Sequence, residues 1–261
     1  MLLTHATGRS REFFATHPDH RLTDAETALF VQLVAARIAG EPIAYLLGER
    51  EFYGRLFVVN RHVLIPRPET ELLVECALEC LPTEAADVLE LGVGSGASLV
   101  TLASERQQHR YTGSDVSHDA LAVAQSNAAR LASPAQCAWV VSDWFSAISG
   151  CFDVIISNPP YIAAHDVHLS QGDLRFEPAL ALASGPDGLE ALRTLIARAS
   201  AHLNVGGSLL VEHGYDQAAA VRALFANAMF DDIASVRDLN DIERITWGRF
   251  RAATTAPQIP S

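Results

Sequence analysis

The sequence predicts an α/β protein: a seven-stranded, mostly parallel sheet with helices on both faces, preceded by a small helical domain and a β-hairpin connector. Three observations carry this. From residue 87 onward, short apolar runs alternate with amphipathic stretches, the pattern of strand–helix–strand units. Several of these runs are rich in Val, Ile and Leu with little alternation, as in strands covered on both faces. A glycine-rich turn closes one run and a proline-rich turn closes another, at strand ends where open α/β sheets hold ligands.

The first seventy residues read as mainly helical. Thr23 and Glu26 have capping-box spacing, and Ala25, Leu29, Leu33, Val34 and Ile38 form a helical stripe stopped by Gly40. A second short helix is expected from Pro42 to Gly48. Phe52 to Val63 mixes β-branched and aromatic residues around Gly54 and Asn60 and predicts a hairpin. Ile65-Pro66-Arg67-Pro68 makes a stiff, extended connector. Thr70 is placed to cap a helix carrying Leu72 to Leu81, which Pro82 ends. The expected divisions are a docking domain over 1–70, a catalytic domain over 71–251 and a loose tail over 252–261.

In the larger domain the predicted strands are Val88–Leu91, Tyr111–Ser114, Cys137–Val141, Val154–Ser157, Ser208–Glu212, Ile233–Arg237 and Ile245–Phe250. Helices fit at Ala97–Glu105, Ala120–Leu131, Leu189–Leu203 and Gln217–Ala228. The last two strands flank a short polar turn at Asn240-Asp241 and predict an antiparallel edge hairpin.

Composition narrows the function. The 261 residues carry a net charge of −12 with 49% hydrophobic and 19% charged residues. That balance argues against duplex DNA or an anionic membrane as partner, because both demand a basic face. Arg61, His62 and Arg67 are the nearest approach to one. No apolar run nears the roughly 18 residues of a membrane span, and Met1 to Arg11 lacks a signal-type apolar stretch. A cytoplasmic monomer without direct nucleic-acid binding is expected. Cys76 and Cys80 stand four apart on a helix, but on the apolar face beside Leu72 and Leu73, where packing accounts for them. His165-Asp166-Val167-His168 has ligand-type residues without a further cluster, so no metal is expected.

Two motifs carry the chemistry. Val88-Leu89-Glu90-Leu91-Gly92-Val93-Gly94-Ser95-Gly96-Ala97 runs from strand through a glycine loop into a helix, and glycines let backbone approach a ligand closely. Asp115 ends the next strand, placed for ribose hydroxyls. Gly92, Gly94 and Ala97 also satisfy the dinucleotide pattern, so an NAD enzyme competes at this point. Ser142-Asp143-Trp144-Phe145 closes the third strand with an acid and aromatics suited to flank an adenine. Asn158-Pro159-Pro160-Tyr161 then closes the run Phe152 to Ser157. Its two prolines have fixed φ and no N–H, so the turn is a rigid platform presenting a neutral amide, two carbonyls and one ring. Such a platform can grip a planar –NH2 without charging it. Glycine loop, ribose acid, adenine pocket and proline platform at successive strand ends form the layout of an S-adenosylmethionine methyltransferase.

On these segments, with Glu41-Pro42-Ile43-Ala44-Tyr45, Leu64 to Glu71 and Phe176-Glu177-Pro178-Ala179-Leu180, the chain resembles the HemK-type protein-(glutamine-N5) methyltransferases from about residue 20 to 251. The resemblance implies a Rossmann-like methyltransferase sheet and S-adenosyl-L-methionine as cofactor. It also implies peptide chain release factors 1 and 2 as protein substrates, modified on the glutamine of a Gly-Gly-Gln motif. Gly92, Val93, Gly94, Ser95, Gly96, Asp115, Trp144 and Asn158 would contact the cofactor. Asn158, Pro159, Pro160 and Tyr161 would bind the glutamine, with Asn158, Pro159 and Tyr161 in the catalytic set. Val93 and Glu90 depart from the frequent Thr and Asp at their positions.

The expected chemistry is direct transfer of a sulfonium methyl to an amide nitrogen whose lone pair is delocalised. The Asn158 side-chain oxygen and the Pro159 carbonyl would accept the amide hydrogens, and Tyr161 would exclude water. Such placement lowers barriers by roughly 7–11 kcal/mol in favourable cases. His165 and His168 stay outside the catalytic set. An adenine-N6 DNA methyltransferase poses the same geometric problem but fits the net charge poorly. A ribosomal-protein glutamine methyltransferase is the nearer alternative. An oxidoreductase would have no use for the proline platform.

Overall fold

Seven strands form one sheet in the order β5-β4-β3-β6-β7-β9-β8. They are β3 (Asp87–Leu91), β4 (Arg110–Asp115), β5 (Cys137–Val141), β6 (Phe152–Ser157), β7 (Leu203–Glu212), β8 (Phe230–Arg237) and β9 (Glu243–Phe250). The first five are mutually parallel, and β9 runs antiparallel to both β7 and β8. The computed structural model describes residues 1–132 and 136–251; the tail expected over 252–261 lies outside the described residues.

Alternate side chains of each strand feed two cores. Val88, Val154, Ile156 and Leu210 pack on one face with α5 (Glu71–Cys80), α6 (Ala97–Glu105) and α7 (His118–Leu131). Leu89, Leu91, Ile155, Leu209 and Val211 pack on the other with α8 (Glu190–Ala199) and α9 (Ala218–Asn227). Burial on both faces is why these strands read as apolar runs.

The amino-terminal segment folds as α1 (Leu2–Thr7), α2 (Arg11–Thr16), α3 (Asp24–Ile38) and α4 (Ile43–Leu47). The capping box forms as expected: Thr23 Oγ1 accepts from the Glu26 N–H at 3.2 Å, and Glu26 accepts from the Thr23 N–H at 2.8 Å. Arg9 also pairs with Glu26, tying the segment after α1 to α3. Of the predicted α3 stripe only Leu33 is buried, while Leu29 and Ile38 are exposed. So few helices cannot cover a whole apolar face.

Several local expectations differ from the structure. The hairpin comprises β1 (Glu49–Phe52) and β2 (Arg55–Val58), earlier than 52–63. Its turn is Tyr53-Gly54, both at positive φ (51° and 71°), which matches the twist of paired strands. Thr70 does not cap α5 with its side chain. A 3-10 turn over Pro68–Thr70 runs straight into the helix and gives Thr70 helical φ and ψ, so its hydroxyl is free for another partner. The helix expected over 189–203 ends at Ala199. A 3-10 turn takes Ser200–His202, and β7 starts at Leu203, paired with Phe152.

The hairpin is not a mere spacer. Phe52 and Phe57 lie in the core with Leu73, Val74 and Val88. Asn127 of α7 is fully buried and bonds both β2 and the glycine loop. Its Oδ1 accepts from the Val58 N–H at 2.8 Å, and its Nδ2 donates to the Val58 and Ser95 carbonyls at 3.0 and 2.8 Å. Asn127→Ala would leave three backbone groups without partners, each costing on the order of 1 kcal/mol or more. The expected loss is about 2–4 kcal/mol in urea unfolding; a loss under about 0.5 kcal/mol would mean that apolar packing alone holds the hairpin.

Candidate functional site

Chain order puts the site at one place. After β3 the chain moves outward through β4 and β5, then returns to lay β6 against the other edge of β3. Connections therefore diverge between β3 and β6, opening a crevice at their carboxyl ends. Pairing fixes the levels. Leu91 lies opposite Ser114 on one side and Ser157 on the other, and Ser157 lies opposite Val211. The residues next in line are Gly92, Asp115, Asn158 and Glu212. The Ser157 hydroxyl donates to the Leu91 carbonyl at 2.8 Å and locks the two central ends together.

A cleft of about 660 Å³ occupies this crevice. On its floor Gly92, Gly94 and Gly96 all have positive φ, at 72°, 54° and 80°. A Cβ on Gly92 or Gly94 would meet nothing within 4 Å, so the space above these residues is open to a ligand. Gly92 and Val93 N–H both donate to the Ser114 carbonyl at 2.9 Å, fastening the loop to the neighbouring strand. Gly96 precedes α6 and offers no side-chain cap. Glu90 supplies one from below: its carboxylate accepts from the Leu99 N–H at 2.9 Å. A shorter Asp would reach less far. Burial pushes the Glu90 carboxyl up to about 8.

Asp115 lines the cleft wall with its carboxylate held by two backbone donors, Gly94 N–H on Oδ2 and Ser117 N–H on Oδ1, both at 2.9 Å. Each oxygen keeps a lone pair for a ligand hydroxyl. Asp143 and Trp144 also line the cleft, and Trp144 has φ of +49°, a conformation a tryptophan holds only when its surroundings impose it. The Ser142 hydroxyl imposes it in part by donating to the Trp144 carbonyl at 2.7 Å. Phe145 differs from the expectation of an aromatic beside the adenine. It is buried, stacked on His202 at 4.5 Å between ring centres.

Asn158 and Pro160 line the same cleft; Pro159 is buried beneath. Asn158 Nδ2 donates to Thr70 Oγ1 at 3.0 Å, which turns the side-chain oxygen away from that bond and leaves it as the free acceptor. Tyr161, expected to exclude water from the amide, is turned inward. It lines a cavity of about 60 Å³ that shares Leu64, Arg67, Asn158 and Ala181 with the main cleft. Its hydroxyl points inward and donates to Glu212 at 3.2 Å.

The segments around Arg67 and Glu177 meet here. Glu177 is buried; one carboxylate oxygen pairs with Arg67, and the other accepts from the Ile65 N–H at 3.0 Å. Arg61, His62 and Arg67 edge the cleft. Cys76 packs in the core, where burial pushes its thiol up to about 12, and His168 pairs with Asp166 on an exposed turn. Among the described residues no three His, Cys, Asp or Glu side chains gather as a metal site, and no helix is long and apolar enough to cross a membrane. Sequence reasoning missed Thr70 and Glu212. Their only signal was position, one beside the proline connector and one at a strand end.

Comparison with known proteins agrees with this geometry. Residues 68–181 match the family model described as methyltransferase small domain, and residues 1–48 match that of the PrmC N-terminal domain. The release factor glutamine methyltransferase of Burkholderia pseudomallei is 50% identical over 256 residues, spanning 95% of this chain and 90% of the relative. That of Escherichia coli is 44% identical over 251 residues, spanning 96% and 90%. A methyltransferase from Pyrococcus furiosus superposes with a TM-score of 0.58 at 17% identity, over 84% of this chain and 98% of its own. The T. thermophilus 16S rRNA N2 G1207 methyltransferase, solved with AdoMet and guanosine, gives 0.55 at 19% identity, over 78% and 50%. These two likenesses concern the fold, whereas the sequence relatives fix the family: the chain belongs to the release factor glutamine methyltransferases.

Proposed function

We propose that this protein methylates the side-chain amide nitrogen (N5) of the glutamine in the Gly-Gly-Gln motif of peptide chain release factors 1 and 2, and so tunes translation termination. The observation that carries this is the placing of a free amide oxygen, Asn158 Oδ1, one strand away from an open glycine loop. The names of relatives at 44–50% identity support a release-factor glutamine as the substrate.

The cleft fits S-adenosyl-L-methionine. Open space above Gly92 and Gly94 suits a ligand lying on the backbone. The Asp115 carboxylate suits ribose hydroxyls, and Trp144 suits contact with the adenine. Val93, Ser95 and Gly96 complete the loop. When bound, this cofactor supplies a methyl group made electrophilic by its sulfonium.

The chain's own residues prepare the acceptor. An amide nitrogen attacks poorly because its lone pair is shared with the carbonyl. Asn158 Oδ1 and the Pro159 carbonyl accept its two hydrogens and turn it toward the cofactor pocket. Both acceptors are neutral, so they orient the nitrogen without drawing a proton from it; the nitrogen becomes acidic once the methyl has transferred and then loses one proton to water. Thr70 prevents Asn158 from flipping, and the two prolines prevent the turn from relaxing.

Specificity for a whole protein needs contacts beyond one glutamine. Val31 and Ile38 lie seven residues apart on one side of α3 and are 59% and 82% exposed, an apolar strip that we assign to release-factor docking.

Four measurements test this reading. Intact-mass spectrometry of release factor incubated with enzyme and cofactor should show a gain of one methyl group on one glutamine; methylation of a ribosomal protein instead would overturn the substrate. Asn158→Ala should lower turnover by about 10²–10³, as for other positioned polar groups, and Thr70→Val by about tenfold. An Asn158→Ala enzyme keeping over a tenth of wild-type turnover would remove Asn158 from the mechanism. Asp115→Ala should weaken cofactor binding by about 1.5–3 kcal/mol in titration calorimetry, the range for hydrogen bonds to a charged group. An unchanged constant would place the ribose elsewhere. Finally, Val31→Asp with Ile38→Asp should raise KM for intact release factor without altering turnover of a short Gly-Gly-Gln peptide, itself a far poorer substrate. Equal turnover of peptide and intact factor would end the docking assignment.

A further inference from the structure

The pairing that sets Asn158 beside the glycine loop sets Glu212 on its other side. Ser157 lies opposite Val211, so Asn158 and Glu212 leave neighbouring strands at the same level. Glu212 is 1% exposed. Its Oε1 accepts from the Tyr161 hydroxyl at 3.2 Å, while its Oε2 is buried and has no hydrogen bond within 3.5 Å among the described residues. Few native side chains leave a carboxylate oxygen in that condition, and those that do call for a reason.

The groups around it come from three elements. The Tyr161 hydroxyl reaches it from the turn after β6, and the Thr70 hydroxyl and Glu69 face it from the 3-10 turn before α5. Arg244 faces it from β9, but its guanidinium is committed to Asp238 at 3.1 Å. No ion pair reaches Glu212 among the described residues. Two of its neighbours are therefore the residues that build the acceptor platform. Tyr161 belongs to the proline turn, and Thr70 accepts from Asn158 Nδ2 at 3.0 Å.

We propose that Glu212, as its carboxylate, is a positioning residue that sets the direction of the hydrogen bonds behind the acceptor platform. This rests on the glutamine-methylation reading above. A carboxylate only accepts. It holds the Tyr161 O–H and draws the Thr70 hydroxyl hydrogen toward itself, which leaves the Thr70 oxygen lone pairs for Asn158 Nδ2. Asn158 is then fixed with Oδ1 toward the substrate. A protonated Glu212 carries a donor of its own, competes with Asn158 for the Thr70 oxygen and loosens that orientation. Turnover should thus follow the ionised fraction.

Burial pushes the Glu212 carboxyl up to about 7, so the change of state falls within the working range. Because the group is neutral below that point and ionised above it, turnover should rise with pH. A single group of this kind gives roughly a tenfold rise in kcat between pH 6 and pH 8, with cofactor affinity flat.

The experiment is a kcat and KM profile from pH 6 to 8.5 on intact release factor, for wild type, Glu212→Gln and Tyr161→Phe. Glu212→Gln keeps the shape but cannot ionise and brings an NH2 donor. It should lose about tenfold or more in kcat at pH 8 and show no rise across the range, with KM for the cofactor unchanged. Tyr161→Phe deletes a bond that favours the ionised form, so its midpoint should move to higher pH. A Glu212→Gln enzyme with more than half of wild-type kcat at pH 8, or with the rise intact, overturns the proposal. Should that variant not fold, an unmoved midpoint in Tyr161→Phe overturns it instead. Normal turnover with a profile indifferent to both changes sinks this inference alone. Absence of methyl transfer by the wild type at every pH sinks the functional reading and this inference with it.

Discussion

The pairing of β3 with β6, in which Leu91 faces Ser157, is the constraint on which the rest depends. A parallel ladder slipped by one residue would turn every side chain of the moved strand to the opposite face. With β6 as the moved strand, Ile155 would exchange cores with Val154 and Ile156. The two apolar cores therefore hold the register, and the register brings a glycine loop and an asparagine to one level. The Ser157–Leu91 hydrogen bond spans the point where the chain reverses direction through the sheet, so it acts where the crevice would otherwise widen.

The elements outside the sheet brace this arrangement from one side. Asn127 links the hairpin to the glycine loop, and Glu177 links the Leu64–Glu71 connector to the loop after the platform. Both are buried polar groups, Asn127 bonded to three backbone groups and Glu177 to one backbone N–H and the Arg67 guanidinium, which makes them costly to lose and specific in what they accept. The hairpin fills core space with Phe52 and Phe57. Residues 49–70 therefore belong, in packing terms, with the sheet domain, which leaves the four amino-terminal helices as the segment proposed for docking.

Much of this was legible in the sequence because the signals were local. The strands announced themselves by apolar runs, Thr23 and Glu26 by capping spacing, and the glycine loop by residues that tolerate positive φ. What was not legible depends on distance in sequence. Thr70 read as a helix cap because capping is a local rule, yet its partner is Asn158, 88 residues away. Phe145 read as a cleft aromatic beside Trp144; tertiary packing sent it to His202 instead. The hairpin was misplaced because Gly54 and Asn60 are equal turn formers by composition. The choice fell to Gly54, which lets Phe52 and Phe57 reach the core together. Glu212 carried only the signal of its position, since an acid at the end of a buried strand looks like the first polar residue of a loop.

The cleft also shows what such a site costs the fold. Glu90 and Glu212 are buried acids with carboxyls raised to about 8 and about 7 from an ordinary 4.5. A group whose folded pKa is raised favours the folded state fully below its unfolded value, and that contribution is lost as pH rises through the folded one. Both acids are therefore progressively less favourable to folding from about pH 4.5 up to pH 7–8, the upper part of which is where the proposed role of Glu212 needs its carboxylate ionised. Glu90 recovers part of this by capping α6. Glu212 has the Tyr161 hydroxyl on one oxygen, the Thr70 hydroxyl facing it, and no backbone donor among the described residues. Two apolar side chains there would pack at least as well. That the weaker of the two solutions sits against the acceptor platform, at the level set by Leu91 and Ser157, is the physical reason to assign it to the chemistry rather than to the fold.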